Sequence, residues 1–349
     1  MISNLLAIDC DAEISRICSI LRTQLAFQLS RRGVVIGLSG GIDSSVTAAL
    51  CARALGSERV YCLLMPESES AESQTSLSLA AEYAAQLGVH WAIEDISELL
   101  EASGCYRRRD AAIREILPAY QPNWRFKILP SDPLRNDRLR SFSLVARDPT
   151  GQEYCAPLSA KTYLAIVAAM NFKQRSRKML EYYHADRLNY AVAGTPNRLE
   201  YDQGFFVKNG DGAADLKPIA HLYKSQVYAI AGALGIPQSI ISREPTTDTY
   251  SLPQDQREFY FSLPYQALDL CLYALDHGLA ATEIAPQLGL DLETLQRVFK
   301  DISAKRRATR YAHLPPLLIR PVAAIEAKPV LQQVPLQSRW AAATSVTEP

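Results

Sequence analysis

The stretch that most constrains this chain is VVIGLSGGIDSSVTAAL, residues 34–50, where a glycine turn joins an apolar β-branched run to an alanine-rich helical pattern. A glycine turn at the start of a helix points several backbone N–H groups toward one place, and the helix dipole adds partial positive charge there. Ser39, Ser44 and Ser45 add hydroxyl donors to the same turn. We therefore predict that this turn binds a phosphate-like anion.

Asp43 distinguishes this turn from the common phosphate loop. The GxxxxGK[ST] pattern places a lysine after its last glycine, whereas Ile42 and Asp43 follow Gly41 here. A carboxylate beside a phosphate is repelled unless a divalent cation lies between the two charges. The turn therefore predicts an anion of pyrophosphate size together with Mg²⁺, with Asp43 on the metal side. The alternative is an ordinary tight turn between a strand and a helix.

Strand-like and helix-like patterns alternate on both sides of the turn. Such alternation is typical of βαβ units, so we predict an α/β fold with a doubly wound, Rossmann-like parallel sheet. Beyond Pro237 the patterns are helical, which predicts a helical C-terminal part. Apolar runs predict strands at 34–38, 59–65, 89–96 and 189–194, and amphipathic patterns predict helices at 13–30, 44–55, 73–88 and 159–183.

Two segments depart from this alternation. Residues 105–157 contain RRR, PNWRFKILPSDPL and DPTGQEY, with prolines and turn signals, and we predict that they form an insertion with a small β-rich flap. Residues 319–349 are rich in proline and alanine and show no sustained period. We therefore predict one domain over 1–318, which contains the insertion, followed by a C-terminal tail.

Composition limits the partners of the chain. Lys plus Arg and Asp plus Glu number 37 each, so the net charge is zero, which disfavours a nucleic acid partner. No apolar run reaches the roughly 18 residues of a membrane helix, so we expect no membrane partner. The seven cysteines include no CxxC pair, which disfavours zinc and redox chemistry and favours a reduced cytoplasmic setting.

Four motifs in the chain resemble those of one enzyme family. SGGIDSS (39–45) is similar to the SGGxDS loop of ATP pyrophosphatases, which cleave ATP between the α and β phosphates. NFKQRSRKM (171–179) is similar to an N-x-x-x-R-x-R-M helix, and REPTTDTY (243–250) is similar to an EPTAD segment. AVAGTPNRLEYDQGFFVKNGDGAADLKPIAHLYK (191–224) resembles a GTxNxxE segment, a K-x-G-D-G-x-x-D loop and an LYK helix. Taken in the order of the chain, the four motifs resemble those of the NAD synthetases.

The resemblance implies an adenine nucleotide α hydrolase-like fold and an ATP-dependent amide ligase. In that family, ATP adenylates the nicotinate carboxylate of deamido-NAD, pyrophosphate leaves, and ammonia attacks the acyl-adenylate to give NAD. This reaction agrees with the turn, because a carboxylate is a poor electrophile until adenylation, which needs the charge on the leaving phosphate to be neutralised. The resemblance also implies a homodimer that builds the dinucleotide site across its interface.

The resemblance assigns an ATP and metal site to residues of this chain. Thr195 contacts the adenosine portion of ATP, Lys224 reaches its phosphates, and Thr246 closes on ATP from a loop. Glu200 supplies a second metal carboxylate beside Asp43. The turn residues assigned to ATP are Gly37, Leu38, Ser39, Gly40, Gly41, Ile42, Asp43 and Ser44.

A second group of residues is assigned to deamido-NAD. Lys208 and Asp215 contact its nicotinate end, and Arg175 reaches it from the neighbouring subunit. The catalytic set is Asp43, Lys208 and Lys224.

Each of these assignments has an ordinary structural alternative. In the competing interpretation, Glu200 is a solvated helix residue, and Lys208 and Lys224 are surface lysines. Arg175 belongs to a basic run that is typical of a solvated helix face. The other members of that run are Lys173, Arg177 and Lys178.

The chain departs from the family pattern in two places. The insertion is larger than the short connection of compact members, and a C-terminal His-Lys pair that contacts deamido-NAD is not present. His184 and His221 receive no role, since a lone histidine is more often structural. Four basic residues near the C-terminal part are candidates for this contact with deamido-NAD, and the sequence does not choose among them. They are Lys305, Arg306, Arg310 and His313.

The source of nitrogen follows from the position of the first strand. The strand–helix alternation begins by residue 34, which leaves no room before it for a glutaminase domain of about 100 residues. We therefore expect free ammonia, or ammonia from a separate partner protein. The rival interpretations are a related ligase that acts on a different carboxylate, a tRNA thiolase or GMP synthase-like enzyme, and a non-catalytic regulator that binds ATP or NAD.

Overall fold

A parallel sheet of four strands lies at the centre of the fold. The computed structural model describes residues 5–70, 73–130, 141–245, 249–254, 263–320 and 322. Thr246 of the predicted ATP site and residues 323–349 of the predicted tail lie outside the described residues. The sheet strands, in the order β3-β2-β1-β7, are β1 (Val34–Gly37), β2 (Val60–Leu64), β3 (His90–Ile93) and β7 (Ala191–Val192).

Helices cover both faces of this sheet. On one face lie α1 (Cys10–Thr23), which continues as a π-helical turn, α2 (Ile42–Leu55), α3 (Ser73–Leu87) and α8 (Lys224–Ala233). The other face is covered by α6 (Ala160–Leu188), with α4 (Ser97–Ala102) and α5 (Cys105–Arg114) packed against α6. The predicted doubly wound α/β fold is therefore confirmed. No helix of the described residues is long and apolar enough to cross a membrane.

The predicted insertion contains a separate antiparallel sheet. Its strands, in the order β4-β5-β6, are β4 (Arg125–Pro130), β5 (Phe142–Arg147) and β6 (Glu153–Leu158). Phe126 and Leu144 of this sheet pack on Ile166 and Met170 of α6. The sheet therefore lies over the N-terminal half of α6.

The prediction of a β-rich flap over 105–157 is wrong for the first part of that segment, because this part forms α5. Cys105, Tyr106, Arg109 and Ile113 are buried on one face of this helix. The three consecutive arginines lie on this helix, and the Arg109 side chain is almost completely buried and pairs with Glu69 and Asp110. The polar pattern of the sequence therefore did not reveal this helix, because ion pairing allows Arg109 to be buried on its inner face.

The C-terminal part is helical, as predicted. It contains α9 (Gln238–Ile241), α10 (Tyr265–Asp276), α11 (Ala281–Leu288) and α12 (Leu292–His313), and α7 (Arg198–Gln203) packs against α12. Asp269 of α10 joins this part to the parallel-sheet part, because its carboxylate accepts the backbone N–H groups of Lys224 and Ser225 at the start of α8.

Asp269 gives the fold a pH-dependent contact. Burial raises the pKa of its carboxyl from 3.8 to about 6, despite the N–H groups that favour the charged form. Because the folded-state pKa is the higher one, the stability from this group is fully present below about pH 4 and is lost as the pH rises through 6.

We expect Asp269→Asn to remove this pH dependence, because the amide keeps a hydrogen-bond acceptor but does not ionise. Relative to the variant, the wild type should lose up to about 3 kcal/mol of unfolding free energy between pH 4 and pH 7, at about 1.4 kcal/mol per pH unit. Urea unfolding of both proteins across this range measures the difference. Parallel pH profiles for the two proteins would contradict the assignment.

Candidate active site

A cavity of about 660 Å³ opens at the carboxyl ends of the parallel strands, beside the glycine turn. This is within the roughly 300–1,000 Å³ of small-molecule sites, and the carboxyl edge is where open α/β sheets bind ligands. The predicted site residues that line it are Gly37, Leu38, Ser39, Gly41, Ile42, Asp43, Ser44, Arg175, Thr195, Glu200 and Lys208.

The glycine turn is fixed by its own hydrogen bonds. The Ser39 hydroxyl lies 3.1 Å from that of Ser44, and the hydroxyls of Ser44 and Ser45 donate to the Gly41 carbonyl oxygen at 3.0 and 2.9 Å. Gly40 has φ +74°, and a Cβ there would lie 2.6 Å from a backbone oxygen of α3. The turn therefore requires glycine at position 40, and its own hydroxyls hold its shape.

Lys224 lies behind the turn and forms an ion pair with Asp43. Its side chain is completely buried, and its Nζ donates to Asp43 Oδ2. Burial acts to lower the pKa of Lys224, but the charges of Asp43 and Glu200 outweigh it and raise the pKa above the ordinary value. The lysine is therefore held as a cation at the start of α8, next to a carboxylate that faces the cavity.

Asn197 is a site residue to which the sequence analysis gave no role. Its Nδ2 donates to Asp43 Oδ1 at 3.1 Å, and its Oδ1 accepts the Glu200 N–H at 3.2 Å. Glu200 in turn accepts the Asn197 backbone N–H, which completes a capping box at the start of α7. Asn197 therefore connects the two carboxylates that were predicted to share a metal. The N-x-x-E spacing of a capping box was the available sequence signal.

Asp43 and Glu200 offer carboxylate oxygens at the cavity, which are ligands of the kind that Mg²⁺ binds. Mg²⁺ prefers oxygen ligands and commonly takes one or two protein carboxylates, with water and substrate phosphates in the other positions. The described residues include no group of three or more His, Cys, Asp or Glu side chains suited to a metal.

Arg175 and Lys208 lie together on one wall of the cavity. Arg175 Nε donates to the Lys208 carbonyl oxygen at 3.3 Å, and Lys208 Nζ donates to the carbonyl oxygens of Tyr311 and Leu314 at 2.7 and 3.3 Å. The last turn of α12 therefore holds the Lys208 ammonium. Arg175 and Lys208 thus lie side by side within one chain, and the contact of Arg175 with deamido-NAD from the neighbouring subunit stays a prediction.

Asp215 is not among the residues that line the cavity. Its Oδ2 accepts the Val192 N–H at 2.7 Å and its Oδ1 accepts the Tyr182 hydroxyl at 3.3 Å. These bonds fix the end of β7 against α6. Its contact with deamido-NAD stays a prediction.

Two lysines of the basic run on α6 are buried in ion pairs, whereas Arg175 of the same run is exposed. Lys173 is 2% exposed and donates to Glu67 at 2.8 Å, and Lys178 is 5% exposed and donates to Glu181 at 2.6 Å. Burial raises the pKa of Glu181 above the ordinary value despite this partner. All four side chains line the cavity. Sequence analysis missed the Lys173–Glu67 pair because the two residues lie 106 positions apart along the chain.

The C-terminal basic candidates differ in their surroundings. Lys305 pairs with Asp301, and Arg306 donates to both Asp202 and Asp276. His313 packs edge-on against Phe206, which lines the cavity. His184 and His221, to which the sequence analysis gave no role, pair with Glu94 and Glu13 outside the residues that line the cavity.

We expect Asn197→Ser to weaken binding of Mg²⁺-ATP by about ten-fold, because the Asp43 carboxylate loses a hydrogen-bond donor worth roughly 1.5 kcal/mol. Serine is a good N-cap, so the unfolding free energy should change little. Calorimetric titration and thermal unfolding measure the two effects. Asn197→Ala is the matched control, since it loses both the donor and the cap. Unchanged nucleotide affinity in Asn197→Ser would refute the role of Asn197.

Comparisons with known proteins identify the family. The model of the NAD synthase family matches residues 13–117 and 150–311, and passes over 118–149, which contain β4 and β5. The NH₃-dependent NAD⁺ synthetase of Rhizobium meliloti (strain 1021) is 58% identical over 321 residues, which cover 92% of this chain and 95% of the relative.

Two solved structures share the fold. NMN synthetase from Francisella tularensis superposes with a TM-score of 0.61 at 22% identity, over 89% of this chain and 99% of its own. NH₃-dependent NAD synthetase from Campylobacter jejuni superposes with a TM-score of 0.58 at 24% identity, over 90% of this chain and 100% of its own. At these identities the similarity concerns the fold alone. Because the family model matches most of the chain and the Rhizobium relative is 58% identical, this chain belongs to the NAD synthase family.

Proposed function

We propose that this chain is an ammonia-dependent NAD synthase, which converts deamido-NAD, ATP and ammonia to NAD, AMP and pyrophosphate. The observation that carries the proposal is the cavity that combines the glycine turn, Asp43 and Glu200 with the cations Arg175 and Lys208. One end of this cavity suits a triphosphate, and the wall opposite suits an anionic substrate. The similarity to the Rhizobium enzyme supports the same reaction.

The first step joins the substrate carboxylate to AMP. A carboxylate oxygen of deamido-NAD attacks the α-phosphorus of ATP, and the bond to the bridging oxygen breaks, so pyrophosphate leaves. The N–H groups of the turn and the Lys224 cation behind Asp43 favour the negative charge that develops on the phosphates. Mg²⁺ held by Asp43 and Glu200 would neutralise further charge on the leaving pyrophosphate.

The second step forms the amide. The nitrogen of ammonia attacks the acyl carbon, AMP leaves with the electrons of the acyl–oxygen bond, and the nitrogen loses one proton. Lys208 lies on the cavity wall, where its charge favours the nicotinate end of the substrate. Arg175, which is expected to reach deamido-NAD from the neighbouring subunit, favours the phosphates of the dinucleotide.

Incubation of the chain with ATP, Mg²⁺, ammonium and deamido-NAD tests this function, with pyrophosphate and NAD both measured. We expect the two products in equal amounts, and no NAD when purified glutamine replaces ammonium. Pyrophosphate and amide formed only from nicotinate mononucleotide would show a ligase for a different carboxylate. No pyrophosphate with either substrate would show a non-catalytic nucleotide-binding protein.

The homodimer and the cytoplasmic setting are parts of the same proposal. Leu164, Met179 and Tyr183 on α6 are 61%, 54% and 60% exposed, and Trp91 and Ile93 of the edge strand β3 are 40% and 50% exposed. Such apolar side chains support a second copy of the chain on this side. All seven cysteines are free thiols, which a reducing compartment maintains.

We expect Met179→Glu to shift the chain from dimer to monomer, because a charge replaces an apolar contact in the interface. Sedimentation at micromolar concentration measures the change. Leu292→Glu, at an exposed apolar position of α12, is the matched control and should leave the dimer intact. A wild-type monomer that is fully active at nanomolar concentration would contradict the interface.

We expect Asp43 and Glu200 to act as one unit through a shared Mg²⁺. Asp43→Asn and Glu200→Gln should each lower the rate of pyrophosphate release steeply, while binding of deamido-NAD alone changes little. The double variant should lose far less than the product of the two single losses, since each single change already disables the ion. A double-mutant cycle at saturating Mg²⁺ measures this. Losses that multiply independently would refute the shared metal.

A further inference from the structure

A second polar cluster lies beside the cavity and takes no part in the steps described above. Arg109 of α5 is at its centre, with a side chain that is 2% exposed and an Nε that donates to Asp110 Oδ1 at 2.7 Å. Its Nη1 and Nη2 donate to the two carboxylate oxygens of Glu69. A guanidinium that bonds both oxygens of one carboxylate gives the pair a defined geometry. The cluster therefore fixes Glu69 against α5.

Glu69 belongs to the segment 65–70, which lies between β2 and α3. Glu67 of the same segment is buried, and its carboxylate accepts the Tyr106 hydroxyl at 2.6 Å and the Lys173 Nζ at 2.8 Å. Tyr106 is on α5 and Lys173 is on α6. The two acidic side chains therefore attach the segment to both helices.

The segment 65–70 lies next to the part of the cavity that contains the glycine turn. Ser70 lines the cavity, as do Ser73 and Ser76 in the first turn of α3. The Ser73 N–H donates to the Ser70 carbonyl oxygen at 3.3 Å. A Cβ at Gly40 of the glycine turn would lie 2.6 Å from the Ser76 carbonyl oxygen. The position of the segment therefore affects how the start of α3 lies against the glycine turn.

The insertion supports Arg109 from its own side. The guanidinium carbon of Arg109 lies 5.4 Å from the centroid of the Phe126 ring on β4 and 5.0 Å from that of Tyr106. Phe126 is completely buried and lies within 118–149, the segment that the family model passes over. An aromatic face attracts a cation placed over it. The antiparallel sheet therefore helps to hold the arginine in the orientation that reaches Glu69.

We propose that Arg109 is a positioning residue for ATP, which holds the segment 65–70 and the start of α3 through Glu69, and that the insertion acts on the nucleotide site through this contact. The inference rests on the proposed function and extends it, because Arg109 is not among the residues that line the cavity. When a ligand binds only one arrangement of a segment, its apparent affinity falls with the fraction of molecules in that arrangement. Loss of the Glu69 contact therefore weakens ATP binding and leaves the chemical step unchanged.

Glu69→Gln tests the proposal without leaving a buried charge unpaired, because Arg109 keeps Asp110 as its partner. Titration with a non-hydrolysable ATP analogue and Mg²⁺ should show about ten-fold weaker binding, the size expected when a charged hydrogen-bond pair is lost. The affinity for deamido-NAD at saturating analogue should equal that of the wild type. Steady-state assays should show a higher KM for ATP and an unchanged kcat.

Glu82→Gln is the matched control, because Glu82 is an exposed carboxylate of α3 that accepts the Ser78 hydroxyl of its own helix at 2.8 Å. It removes the same charge from the same part of the chain but has no contact with Arg109. Both affinities and both kinetic constants should stay at the wild-type values.

Phe126→Leu tests the part that the insertion plays. It removes the aromatic face beside Arg109 and should weaken binding of the analogue by about three-fold. In the double variant with Glu69→Gln the two losses should not multiply, since both changes act through the same arginine. Thermal unfolding of each variant shows whether the protein measured is folded.

Glu69→Gln with the wild-type affinity for the analogue would overturn the proposal, and so would equal losses of affinity for the analogue and for deamido-NAD. Losses that multiply in the double variant would overturn the role of the insertion. A wild type that binds no ATP analogue or forms no NAD would instead overturn the proposed function, so the two failures are distinguishable.

Discussion

The ion pair between Lys224 and Asp43 is the interaction on which the rest of the site depends. Because Lys224 is completely buried, removal of its partner would leave an uncompensated charge at a cost of about 3–5 kcal/mol. The pair joins the start of α2, which carries the glycine turn, to the start of α8. Asp269 of α10 holds the same end of α8 through two N–H groups. The start of α8 therefore couples the phosphate turn to the helical C-terminal part.

Asn197 and α6 extend this arrangement across the candidate site. Asn197 bonds Asp43 and caps α7, so the position of Glu200 depends on the same contacts as that of the turn. Helix α6 provides the opposite wall, with Arg175 beside Lys208 and buried ion pairs on either side. The elements of the α/β fold thus hold these charges in place around the cavity, as catalysis by electrostatic stabilisation requires.

The sequence predicted the elements whose pattern is local. The glycine turn, the four parallel strands and the helical C-terminal part follow from apolar periodicity and from the conformational needs of glycine. Helix α5 was missed because Arg109 is buried by pairing with Glu69, which lies 40 residues earlier. The Lys173–Glu67 pair joins residues 106 apart, and no local pattern shows such a contact. The family motifs located most site residues, but the position of the insertion beside the cavity depends on tertiary packing.

The exchange of labelled pyrophosphate into ATP tests most directly whether this charged network performs adenylation. With Mg²⁺ and deamido-NAD but no ammonia, the wild type should catalyse the exchange, and omission of deamido-NAD should abolish it. Lys224→Met keeps an unbranched side chain in the buried position, and in its folded form the exchange should fall by about 100-fold or more. Exchange by folded Lys224→Met at the wild-type rate, or exchange by the wild type without deamido-NAD, would contradict the account.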